Sequence, residues 1–166
     1  MTLRDRLSSV TPLVVAALFA VAEPSHAQGA DDRVHYLKVV AKDYAFDVVP
    51  SVPAGIVTIH LLNQGTDVHH LTLVELAPGH TVKAFIDAMR DHGEPPAWTV
   101  TVGATPIIQR NHEAFLTLRL SPGRYMLSCL IPAKDGRSHA EKGMFAMITV
   151  GADGRSASAA KANRKP

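Results

Sequence analysis

A thiol, an imidazole and a thioether fall within one short stretch of this 166-residue chain: Cys129, His139 and Met144. Nine residues separate the cysteine from the histidine, and four separate the histidine from the methionine. Thiolate and thioether sulfur favour Cu(I), imidazole suits both oxidation states, and copper heads the affinity series of the divalent first-row metals. Two histidines and a cysteine with a weak axial methionine make a one-electron copper site. The stretch therefore lacks one imidazole, and the pair His69-His70, which follows Asn63-Gln64-Gly65, offers it. Plainer roles exist for each residue. Cys129 suits a buried structural thiol, since free cysteine is among the most buried residue types. Met144 suits core filling, as one of five methionines, and Met126 and Met147 are read as packing. It is the three together, on one loop, that point to copper. His35, His60, His80, His92 and His112 have no motif around them; His112 is the substitute should His139 not ligate.

Short runs rich in Val, Ile, Leu, Thr and Tyr, separated by Pro/Gly turns, are expected to position these residues. Strands are predicted over 34–40, 44–49, 56–62, 69–76, 98–102, 113–120, 124–130 and 144–150, with a turn from Pro50 to Gly55. The period of two puts Val57, Ile59 and Leu61 on one face. It likewise groups Ala114, Leu116, Leu118 and Leu120, and also Tyr125, Leu127 and Cys129. In the run from His69 it places His69, Leu71 and Leu73 on one face and His70, Thr72 and Val74 on the other, so the choice of histidine depends on register. Val82, Phe85, Ile86 and Met89 recur at helical spacing between Thr81, a plausible N-cap, and Gly93, a stop, which predicts a helix over 81–91 packed on the sheets. If the strands at 124–130 and 144–150 are antiparallel neighbours, the Cys129 and Met144 ends meet, and the loop between them can fold back to present His139. The pattern as a whole is all-β: a Greek-key β-sandwich of about seven to eight strands with one short inserted helix.

The ends of the chain differ from this middle. Arg4 and Arg6, an apolar run from Pro12 to Ala22 and the small-x-small site Ser25-His26-Ala27 read as an export signal over residues 1–27, cleaved after Ala27. The run is about half the roughly 20 apolar residues that a spanning helix needs, so a stable membrane anchor is not expected. Residues 28–150 then form one domain, and 151–166 form a small, polar, basic tail read as disordered. The formal net charge is +2, and no basic stripe interleaves with aromatics, which argues against nucleic acid as a partner. Export makes the single cysteine informative. It has no internal disulfide partner, and an exposed thiol in an oxidising compartment is vulnerable.

With these residues assembled, the chain resembles the cupredoxins, the family of plastocyanin and azurin, over nearly all of 33–150. The resemblance rests on Asp43-Tyr44-Ala45-Phe46, Val52-Pro53-Ala54-Gly55 before a strand, and Asn63-x-Gly65 before the histidine. It rests further on Leu120-Ser121-Pro122-Gly123-Arg124-Tyr125 and the Cys129/His139/Met144 loop. It implies His69 as the first histidine ligand, with His70 behind it or as the alternative. The nine residues between Cys129 and His139 are more than typical members carry. The resemblance implies one copper ion per chain in a type 1 (blue) site and one-electron transfer between exported redox proteins. A copper carrier serving copper-handling proteins is the alternative. The chain is read as a periplasmic or secreted monomer and not as an enzyme, because no local signature of a thiol enzyme accompanies Cys129.

Overall fold

A computed structural model describes residues 33–151 of the chain. The leader read over 1–27 lies outside the described residues, as does the tail beyond Gly151. Nine strands occur among the described residues: β1 (Val34–Lys42), β2 (Ala45–Val48), β3 (Ser51–Pro53), β4 (Gly55–Asn63), β5 (Thr72–Leu76), β6 (Thr99–Ala104), β7 (Glu113–Leu120), β8 (Gly123–Ser128) and β9 (Phe145–Gly151). They form a four-stranded sheet, β2-β1-β4-β7, facing a five-stranded sheet, β3-β9-β8-β5-β6. Two pairs, β1 with β4 and β3 with β9, are parallel, so the chain crosses between sheets rather than meandering within one. Among the described residues no helix is long and apolar enough to cross a membrane.

Alternation explains the core. Leu37 and Val39 of β1 lie beside Ile59 and Leu61 of β4, and these in turn lie beside Leu116 and Ala114 of β7. From the second sheet Leu73, Tyr125, Leu127, Ile148 and Val150 meet them, joined by Leu71 just ahead of β5. Each fully buried aliphatic side chain contributes about 1.5–3 kcal/mol relative to exposure. The face groupings read from sequence hold: Val57, Ile59 and Leu61 are fully buried, and Tyr125, Leu127 and Cys129 belong to the same cluster. Leu116 and Leu118 are only partly buried but pack against it.

On the outer side of the second sheet, Val74, Leu76 and Met126 enclose Phe85 from α1 (Val82–His92), the one α-helix among the described residues. Thr81 Oγ1 accepts the Ala84 N–H at 3.1 Å, and Gly93 closes the helix with φ 74°, so both end signals act as the sequence suggests. Thr81→Ala is expected to cost about 1 kcal/mol through loss of that cap. Chemical denaturation of the variant should show a lower midpoint with an unchanged slope.

Several boundaries depart from expectation by one or two residues, and three departures bear on the fold or the site. The segment read as a turn from Pro50 to Gly55 contains β3, because Ser51–Pro53 pairs in parallel with Thr149–Gly151. Gly151 therefore ends β9 rather than opening the tail. The strand expected from His69 starts at Thr72: the Thr105 side chain interrupts the ladder, its Oγ1 accepting the Leu71 N–H at 2.9 Å while its own N–H donates to Leu71 O. His69 is held separately, as an isolated bridge to Ile108.

Candidate metal centre

Cys129 follows the last residue of β8, and its N–H donates to Met144 O at 3.2 Å, which fixes the two sulfur residues at the same end of the β8–β9 pair. The nine residues after Cys129 do not wander. His139 N–H donates to Ile131 O (2.8 Å), Ala133 N–H to Arg137 O (2.7 Å) and Gly136 N–H to Ala133 O (2.9 Å). The extra length is thus folded into a small hairpin whose tip needs Gly136 at φ 80°, a left-handed conformation natural to glycine. Its base returns His139 to the cysteine.

After the hairpin, Ala140 N–H donates to Cys129 O (2.8 Å) and Met144 N–H to His139 O (2.9 Å). A single 3-10 turn, Ala140–Lys142, lies between. Ser138 N–H and Oγ donate to Glu141 Oε2 while Glu141 N–H donates to Ser138 Oγ, the reciprocal pattern of a capping box. The backbone segments carrying Cys129, His139 and Met144 are therefore hydrogen-bonded to one another.

His69 comes from the segment between β4 and β5, just ahead of the strand that pairs with β8. Asn63, fully buried at the end of β4, organises its approach: Nδ2 donates to Asp67 O (2.8 Å) and Ile108 O (3.2 Å), and Oδ1 accepts the Gly65 N–H (2.9 Å). A Cβ on Gly65 would meet His69 Nε2 at 2.7 Å and would press on Asp43 Oδ1, so only glycine permits this packing. Asp43 sits at the β1–β2 turn. Its carboxylate accepts Thr66 N–H, Thr66 Oγ1 and Asp67 N–H, and its Oδ1 lies 3.2 Å from His69 Nε2. Partial burial pushes the Asp43 pKa up, but the hydrogen bonds from Thr66, Asp67 and His69 outweigh it and bring the carboxyl down to about 2.

One ligand atom from each of His69, Cys129 and His139 lies within 4.8 Å of the others. His69 Nδ1 and His139 Nδ1 are 3.2 Å apart, and Cys129 Sγ is 3.5 Å from His139 Nδ1. The first two residues are fully buried and His139 is 2% exposed. Burial pushes the Cys129 thiol up, opposed by the His70 and Ile131 N–H groups directed at the sulfur. Burial also holds the His139 pKa below its usual value, with charge on His69 adding to the effect. Tyr44 packs edge-on against the His139 ring at 5.1 Å. Met144 is fully buried, joined through its backbone to both Cys129 and His139.

No protein-family model and no curated protein matches the chain. Solved structures do resemble it. Dithionite-reduced auracyanin from Roseiflexus castenholzii superposes with a TM-score of 0.51 at 23% identity, covering 74% of this chain and 98% of that one. Auracyanin A, a "blue" copper protein from Chloroflexus aurantiacus, gives 0.51 at 21% identity over 71% of this chain and 99% of that one. The chain has the cupredoxin fold. In this cupredoxin-fold chain the residues singled out by sequence are placed as follows. His69, Cys129 and His139 converge, and Met144 adjoins them. His70 points elsewhere: its Nε2 accepts the Leu130 N–H at 3.0 Å, bracing the backbone just past Cys129. His112 is exposed, with Nδ1 at 3.0 Å from Arg110 O, and is not part of the cluster.

Sequence reasoning did not assign roles to Asp43, Tyr44 or the Ser138–Glu141 pair. The last was readable, since Ser-x-x-Glu is a capping-box signature. Asp43 and Tyr44 were not, because their contact with histidines 26 and 95 positions away arises only when the β1–β2 turn folds over the end of the sandwich.

Proposed function

We propose that the protein is an exported one-electron carrier that would hold one copper ion through His69, Cys129 and His139, with Met144 as a fourth, weaker donor. The observation that carries this reading is the convergence of three buried donor atoms, two imidazole and one thiol, at one end of a cupredoxin-fold sandwich. The donor set fits the ion. Two imidazole nitrogens 3.2 Å apart can both lie about 2.0 Å from a shared metal, and Cys with two His is the equatorial set of blue-copper sites. When bound, copper supplies a one-electron couple between Cu(I) and Cu(II).

The chain's residues supply the rest. Cys129 binds as thiolate, supported by the N–H groups of His70 and Ile131. Hydrogen bonds linking Cys129, His139 and Met144 through the backbone keep the donors in place, so one arrangement serves both oxidation states. Burial of the donors excludes water and gives a substrate no direct access, which favours a carrier of electrons over an enzyme. The same burial favours retention over delivery of copper: a copper-handling carrier needs an exposed, exchangeable ion, and these donors are 0–2% exposed. Exported redox proteins are the partners this reading implies, with the protein acting as a periplasmic or secreted monomer.

Copper exchange measured beside voltammetry separates the two roles. A reversible one-electron wave, with copper held against a competing chelator over many turnovers, is expected. Rapid loss to the chelator without a reversible wave would favour delivery.

A further inference from the structure

We infer that Asp43 is a positioning residue for the metal centre: its carboxylate fixes His69 as the Nε2–H tautomer and so presents the Nδ1 lone pair to the ion. The inference rests on the copper reading above for its consequence, but its structural part stands on the chain alone.

An ionised carboxylate accepts hydrogen bonds and donates none. With Asp43 Oδ1 3.2 Å from His69 Nε2, the proton of a neutral ring belongs on Nε2, and Nδ1 keeps its lone pair. That nitrogen is the one facing the other donors, 3.2 Å from His139 Nδ1. Asp43 is itself immobilised by the N–H and hydroxyl of Thr66 and the N–H of Asp67. Gly65 completes the arrangement, since a Cβ there would intrude on both Asp43 and His69. The β1–β2 corner thus addresses both histidines, Asp43 through a hydrogen bond to His69 and Tyr44 through ring contact with His139. Tyr44 takes a left-handed backbone, φ 63°, unusual for a non-glycine residue, at this corner.

A carboxylate behind a ligating imidazole makes that ligand a stronger donor and adds negative charge near the ion. Both effects favour Cu(II) over Cu(I). Asp43→Asn keeps the shape and an oxygen acceptor but removes the charge; Asp43→Ala removes both. Thr66→Val deletes one hydrogen bond to Asp43 without touching His69, and so reports on loop order alone.

Nitrogen-15 NMR of the copper-free protein reads the tautomer directly, and voltammetry with competitive copper titration reads the consequence. The wild type and Thr66→Val are expected to show His69 protonated on Nε2 alone, while Asp43→Ala shows a mixture with the Nδ1–H form. In the copper-loaded protein, Asp43→Ala is expected to bind Cu(II) about 10–100-fold more weakly. Asp43→Asn is expected to shift the Cu(I):Cu(II) ratio at fixed potential about tenfold toward Cu(I), an upward shift of about 59 mV for one electron. An Nδ1–H tautomer in wild-type copper-free protein would overturn the inference whether or not any variant folds. So would an unchanged tautomer in Asp43→Ala or an unchanged potential in Asp43→Asn. Failure of the wild type to bind copper would instead sink the proposed function and leave the tautomer result standing.

Discussion

Cys129→Ser is expected to lower Cu(I) affinity by more than about a hundredfold, beyond the 10–100-fold typical of losing a residue behind the ligands. The hydroxyl that replaces Sγ is a hard, protonated donor, whereas the remaining imidazoles do not discriminate between oxidation states. The fold should survive, because serine is close in size and the site is held by backbone hydrogen bonds that do not involve Sγ. The same substitution has a proton signature. Burial raises the Cys129 pKa above the ordinary cysteine range, so near neutral pH the copper-free protein carries a thiol that the ion must deprotonate. His139, held below the ordinary histidine range by burial, is largely neutral at pH 7 and releases little. Copper uptake at pH 7 should therefore release the Cys129 proton, and affinity should rise with pH until Cys129 ionises on its own. Calorimetric titrations in buffers of different ionisation enthalpy count that proton; in Cys129→Ser the count should fall by about one.

Asn63→Ala is expected to destabilise the copper-free protein by about 3 kcal/mol, which for a domain of this size lowers Tm by about 10–15 °C. Its side chain makes three hydrogen bonds inside the protein, to Gly65 N–H, Asp67 O and Ile108 O, with no exposed surface of its own. Each partner left buried without a substitute costs about 1–3 kcal/mol, the carbonyls toward the low end. Asn63→Asp keeps the acceptor for Gly65 but sets a buried carboxylate oxygen against the Asp67 and Ile108 carbonyls, so at neutral pH its Tm should fall at least as far as that of the alanine variant. The loss also reaches the site, because Asn63 ties the 63–67 loop to Ile108, and Ile108 is the bridge partner of His69.

The sandwich was legible because its signals are local and redundant. Alternation in Val57, Ile59 and Leu61 left one reading of the inner face, and Thr81 with Gly93 bounded the helix within a residue at each end. The register of the 69–76 run assigned His69, Leu71 and Leu73 to one side, and all three are fully buried although the ladder itself begins only at Thr72. Less legible were features set by tertiary contact. The long Cys129–His139 segment gave no sign of what absorbs its length; a hairpin held by Ala133–Arg137 and Ile131–His139 pairing does so. Ser51–Pro53 looked like a turn because its pairing partner lies almost a hundred residues away in β9. Asp43 stood out only as part of a resemblance, since nothing in a carboxylate at a strand end announces the histidine it will meet.

The visible spectrum of the protein after equimolar Cu(II) loading, with metal analysis, tests the central claim most directly. One copper per chain and an intense thiolate-to-copper absorption are expected in the wild type, with the band lost in Cys129→Ser and displaced or lost in His139→Ala. A colourless wild-type protein after loading, or a band that persists without Cys129, would contradict a site built on His69, Cys129, His139 and Met144.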